Sequence, residues 1–203
     1  MSSGSVFSSQ GYWQSRYEAG ETRWDKGQPS PPLANYLDRH GLHGRVLVPG
    51  CGAGHDVRLL ASHGADAIGQ DIAPAAVELA GTFPRVANES YEVGDFLDLD
   101  ARLEGEFDFV FEHTLFCAID PLDRPVYVES AWRAVRAGGR LLAVFYLDPV
   151  EATGTDPPFP VSLPALRSLL NGKFQEEESY IPTVSYENRA GRELLWVGKR
   201  IEI

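Results

Sequence analysis

Short apolar runs alternate along the chain with segments whose apolar residues recur every three or four positions. Arg45–Pro49, Ala67–Asp71, Tyr91–Val93, Phe107–Glu112 and Arg140–Leu147 have the length and β-branched or aromatic content of strands. Between them His55–His63, Pro74–Phe83 and Pro121–Val135 carry helical spacing. Asp120 before Pro121 predicts an N-cap followed by proline at the first helical position, and Gly138-Gly139 is expected to end that helix before the fifth strand. Strand and helix in alternation predict a parallel sheet covered on both faces, a doubly wound α/β fold. The tail differs. Ser162–Asn171 reads as a helix, and Phe174–Tyr180 and Glu193–Arg200 flank a turn-rich stretch with Pro182, Asn188 and Gly191, as in an antiparallel hairpin. No internal repeat or low-complexity segment interrupts this order.

Composition narrows the picture. With 203 residues, 43% of them hydrophobic, the chain can bury a full core as one domain spanning 1–203. Residues 1–40 are expected to form an N-terminal helical lid and 45–203 the core. A net charge of −11 argues against nucleic acid, whose binding needs basic patches that displace counterions. The expected acceptor is a small molecule, and the expected state a monomer. No run of apolar residues reaches membrane-spanning length, and the opening Met1-Ser2-Ser3-Gly4-Ser5 lacks a basic and an apolar signal region. A cytoplasmic protein without membrane contact is expected. The two cysteines, Cys51 and Cys117, make neither a disulfide framework nor a zinc site, and no metal is expected.

The chemistry concentrates where the first strand runs into Gly50-Cys51-Gly52-Ala53-Gly54. Glycines at alternate positions let a ligand lie against main-chain N–H groups at a helix N-terminus. Asp71 follows Gly50 by 21 residues at the end of the second strand, where its carboxylate can accept from ribose hydroxyls. The third glycine of the dinucleotide pattern would fall at His55, and it is absent. The loop therefore favours S-adenosylmethionine over a nicotinamide cofactor. In such sheets ligands bind beyond the carboxyl ends of the strands. Asp95 and Phe96 fall there after the third strand, placed for the adenine amino group and ring face, with a capped turn as the plain alternative for Asp95. Glu112 and His113 end the fourth strand, beneath the expected methyl position.

The chain resembles the class I S-adenosylmethionine-dependent methyltransferases, and among them the thiopurine methyltransferase-like superfamily, in particular its halide and thiol methyltransferase branch. The marks are Trp13-x-x-x-Tyr17 with Trp24-Asp25-Lys26-Gly27-Gln28-x-x-Pro31, then Val48-Pro49-Gly50-Cys51-Gly52-x-Gly54-His55-Asp56, and Phe116-Cys117-Ala118-Ile119-Asp120-Pro121 with Arg124-Pro125. The resemblance implies a Rossmann-like, seven-stranded, mostly parallel sheet whose last strand is antiparallel. It implies S-adenosylmethionine contacts at Trp13, Tyr17 and Trp24 in the lid, at Gly50 in the loop, and at Asp71, Asp95, Phe96 and His113; Gly52 is a further cofactor-binding candidate of the glycine loop. Tyr17 stands where relatives commonly carry Trp, and His113 where they commonly carry Tyr.

The implied reaction is in-line displacement at a sulfonium methyl, which needs alignment and a water-poor pocket more than acid–base machinery. If the acceptor is a neutral thiol, His113 or Tyr146 could assist its ionisation. Three functions stay open on this basis: methylation of a small sulfur nucleophile (thiol, hydrosulfide, thiocyanate) or halide, O- or N-methylation of a small secondary metabolite, and a non-catalytic S-adenosylmethionine-binding regulatory module.

Overall fold

In the computed structural model, residues 5–202 are described. Seven strands make one sheet: β1 (Gly44–Pro49), β2 (Ala65–Asp71), β3 (Ser90–Val93), β4 (Phe107–His113), β5 (Val135–Tyr146), β6 (Phe174–Tyr180) and β7 (Glu193–Arg200). Their order is β3-β2-β1-β4-β5-β7-β6, parallel except for β7, which pairs antiparallel with both β5 and β6. This is the expected doubly wound sheet with its antiparallel tail.

The helices are α1 (Gln10–Glu18), α2 (Pro31–His40), α3 (His55–Ser62), α4 (Pro74–Thr82), α5 (Arg124–Ala134) and α6 (Leu163–Leu170). Side chains alternate across the sheet, so successive residues of one strand feed opposite cores. Leu47, Val110, Leu141, Ala143 and Trp196 join α5 and α6 on one face. Val46, Val48, Phe111, Leu142, Val144 and Val197 join α2 and α3 on the other.

Two elements depart from the sequence reading. The segment 1–40 is not uniformly a lid: α2 buries Leu33 and Leu37 in the core, whereas α1 buries no residue. Its start is well specified, since Ser30 Oγ accepts from Leu33 N and prolines occupy the first helical turn. The helix before β5 ends at Ala134, ahead of the glycine pair. Gly138, at φ 75°, and Gly139 instead lie within β5, where the β4 pairing passes from Phe107↔Val135 to Phe109↔Arg140 across an irregularity. A Cβ on Gly139 would stand 2.7 Å from the Asp108 carbonyl, so the pair serves the close approach of two strands. Asp120 does accept from Leu122 N at 2.9 Å, but it caps a short 3-10 turn leading into α5.

Candidate active site

The strand ends and the N-terminal segment enclose a cavity of about 480 Å³, within the range of small-ligand sites. Gly50, Asp71, Asp95 and Phe96 form its floor, and Trp13, Tyr17 and Trp24 line it from the N-terminal side. Of the sequence-derived set, only Gly52 and His113 are missing from the wall.

The glycine loop turns through left-handed backbone at Gly50 (φ 61°) and Gly52 (φ 52°), which L side chains adopt at a cost. A Cβ on Gly52 would meet the Tyr17 hydroxyl at 3.1 Å, so this glycine lies beneath the lid aromatics. Its N–H donates to Asp71 Oδ2 at 3.0 Å, and Ala73 N donates to Oδ1 at 2.9 Å. Asp71 is thus fixed by two main-chain donors, while each oxygen keeps a further lone pair for a hydroxyl. Burial raises its pKa, and the backbone donors offset part of that rise. Asp95 caps a turn by accepting from Leu97 N at 2.9 Å and also borders the cavity, so the turn role and the ligand position coincide. Phe96 is buried against Tyr127, with ring centroids 5.2 Å apart.

Trp24 packs edge-on to both Trp13 and Tyr17, at 5.2 and 5.6 Å between centroids. The Trp24 indole N–H donates to the Tyr17 hydroxyl at 3.3 Å, and burial raises that phenol's pKa. α1 is docked by two glutamines: Gln14 Oε1 accepts from Ala75 N and Gln10 Nε2 donates to the Ile72 carbonyl, both at 3.0 Å. These residues fit the expected group. A carboxylate with free lone pairs suits ribose hydroxyls, the glycine loop admits close approach, and aromatic faces suit a sulfonium cation.

Around β4 and β5 the expectations need correction. His113 does not line the cavity, because its Nδ1 is drawn 2.7 Å from Asp56 Oδ2 and its ring stacks on Tyr186 at an interplanar angle of 17°. Neighbouring Glu112 is a structural carboxylate, accepting from Phe116 N at 2.8 Å and from the Tyr127 hydroxyl at 2.6 Å. Tyr146 does line the cavity, yet its hydroxyl donates to Glu151 at 2.9 Å and burial raises its pKa. The hydroxyl proton is thus engaged with a carboxylate of the protein itself. Thr114, a β-branched residue at φ 67°, turns the chain out of β4 at the cavity wall, and such strain is typical of functional sites. Cys117 also borders the cavity, but burial pushes its thiol up to about 12, which keeps it protonated.

Arg189 completes the wall, and no motif in the sequence singles it out. It lies in the loop between β6 and β7, only 4% exposed, with Tyr146 and Tyr186 packed 4.6 and 5.3 Å from its guanidinium carbon. Among the described residues its side chain's hydrogen bonds run through Nη1 alone, to Glu193 Oε1 at 3.5 Å and His113 Nε2 at 3.4 Å. Nε is buried without a partner among the described residues. Its only available signal was position: a cation in a loop returning to the carboxyl ends of the strands. Among the described residues no cluster of side chains is suited to hold a metal ion.

Residues 8–193 match the model of the family described as Thiopurine S-methyltransferase (TPMT). The chain is 34% identical over 167 residues to "Probable thiol methyltransferase 2" of Arabidopsis thaliana, covering 80% of this chain and 72% of that one. It is 32% identical over 202 residues to "Thiocyanate methyltransferase 1" of Brassica oleracea, covering 95% and 86%. Among solved structures, one concerning conversion of a disulfide bond into a thioacetal group during echinomycin biosynthesis superposes with a TM-score of 0.77 at 23% identity, covering 94% of this chain and 92% of that one. That likeness concerns the fold.

Proposed function

Because this chain belongs to the thiopurine S-methyltransferase family, we propose that it methylates a small anionic sulfur nucleophile (a thiolate, hydrosulfide or thiocyanate) or a halide ion held at Arg189. The observation that carries this reading is the buried guanidinium on the cavity wall, five N–H donors of which only those on Nη1 are engaged. A buried charge left with unused donors favours an anion over a neutral acceptor. The names of the two plant relatives, a thiol and a thiocyanate methyltransferase, support the same acceptor class.

S-adenosylmethionine, when bound, supplies the electrophilic methyl carbon. Asp71 would accept from its ribose and Asp95 from its adenine, with Trp13, Tyr17 and Trp24 closing over the sulfonium side and Gly50 and Gly52 shaping the loop beneath. Arg189 would hold the acceptor in line and exclude its hydration water, leaving Tyr146 to orient the guanidinium through its ring. An acceptor arriving as an anion needs no base. This agrees with the protonated state to which burial holds Tyr146 and Cys117.

The test is a panel of hydrosulfide, thiocyanate, iodide and an aromatic thiol, with S-adenosylhomocysteine release measured and the methylated products identified. Turnover of the anions is expected. No turnover of any of them, with methylation of a neutral hydroxyl or amine in its place, would transfer the protein to O- or N-methylation. Cofactor binding without any turnover would leave the regulatory module.

A further inference from the structure

Behind Arg189 runs a chain of polar contacts that the methyl transfer itself does not require. Asp56, in the first turn of α3, accepts from Ser30 N at 2.7 Å through Oδ1 and meets His113 Nδ1 at 2.7 Å through Oδ2. A carboxylate at that distance holds the imidazole proton on Nδ1, which leaves the Nε2 lone pair facing Arg189 Nη1. The ring is further confined by Tyr186, whose hydroxyl donates to the Gln28 carbonyl at 2.9 Å.

The rings of Tyr146 and Tyr186 confine the Arg189 guanidinium, but the 3.5 Å contact to Glu193 is long and by itself leaves its donors some freedom of direction. A second acceptor on the same Nη1 removes that freedom and turns the remaining donors away from the protein's own carboxylate. We propose that Asp56 and His113 are positioning residues which, through this relay, fix the Arg189 guanidinium for the acceptor anion. The proposal rests on the reading of Arg189 as the acceptor anchor. It predicts specificity carried by residues that do not touch the acceptor, because second contacts that orient a binding group typically change affinity severalfold to a hundredfold.

The test uses the full chain saturated with S-adenosylhomocysteine and titrated with thiocyanate in a calorimeter, so that turnover plays no part. His113→Leu is expected to raise the thiocyanate dissociation constant about tenfold while S-adenosylhomocysteine affinity stays within about twofold. His113→Gln supplies an amide N–H for Asp56 and a carbonyl for Arg189, and should keep thiocyanate affinity within about threefold of the parent. Asp56→Asn keeps an oxygen for Ser30 N but cannot hold the proton on Nδ1, and should reproduce the His113→Leu loss. This second variant serves if His113→Leu fails to fold.

With hydrosulfide as substrate the loss should fall on KM more than on kcat. Thiocyanate affinity unchanged in His113→Leu and Asp56→Asn, in a background where Arg189→Met abolishes it, would overturn the relay and leave the anchor standing. Unchanged affinity in Arg189→Met would overturn the anchor and the relay with it. An equal loss of S-adenosylhomocysteine and thiocyanate affinity in His113→Leu would assign the imidazole to cofactor placement and overturn the proposal.

Discussion

Asp71 and Glu112 are both buried carboxylates at strand ends, and their partners give them different tasks. Asp71 spends one lone pair per oxygen on Gly52 and Ala73 and borders the cavity; Glu112 is enclosed by Phe116 and Tyr127. Asp71→Asn is expected to weaken S-adenosylhomocysteine binding by about 1.5–3 kcal/mol in a folded protein, measured by calorimetric titration. Unchanged affinity would remove Asp71 from the ribose. For Glu112, burial raises the pKa above its unfolded value, so the folded chain holds this proton more tightly than the unfolded one. Its contribution to stability is therefore complete below the ordinary carboxylate range and is lost as pH rises through the raised value. Glu112→Gln keeps an acceptor for Phe116 N without the charge, so its stability relative to the parent should improve from about pH 4 to about pH 7 in denaturant melts. A flat difference would show that the hydrogen bonds cancel desolvation, and a falling one that they outweigh it. At this scale the cavity wall was legible where it follows a motif, as with Gly50 and Asp71. It was illegible where it depends on a distant partner. Nothing adjacent to His113 announces that Asp56, 57 residues away, will claim its Nδ1.

The N-terminal elements show how burial divides neighbours. α1 packs no residue into the core and is held by Gln10 and Gln14, whereas α2 inserts Leu33 and Leu37. Removing residues 1–24 should leave a cooperatively folding protein that has lost turnover by about tenfold or more, since closure over the reacting groups is what is lost. Full activity in that truncation would refute the lid role. Leu37→Ala should cost about 2–5 kcal/mol in a denaturant titration, the usual range for a buried leucine. β1, β2, β4, β5 and most helices could be read from apolar periodicity because each buries one side or both against one of the two cores. α2 was equally readable from Ser30-Pro31, the apolar Leu33, Tyr36 and Leu37, and Gly41, but a short amphipathic helix beside an aromatic-rich segment merges with it in a lid-like reading. Gly138-Gly139 misled for a different reason: paired glycines mark a helix stop and a close strand approach alike, and only the nearness of Asp108 decides between them.

Over the whole molecule the charge of −11 is the dominant long-range property, and a gel-shift experiment at about 0.1 M salt should show no retardation of duplex DNA. The sheet order has a consequence of another kind. β7, residues 193–200, is not an edge strand but lies between β5 and β6, and Arg189 precedes it by four residues. During synthesis, β1 to β5 can pair as soon as they emerge, yet the seam between β5 and β6 stays open until residue 200 has been made. Contacts between partners this far apart in sequence form late and slowly. A nascent chain halted before that point exposes the flank of β5, a template for wrong pairing, and lacks the placed guanidinium as well. β7 therefore closes the sheet and, with Arg189 as the proposed acceptor anchor, would complete the cavity wall in one event, so that chains halted before it would lack that anchor.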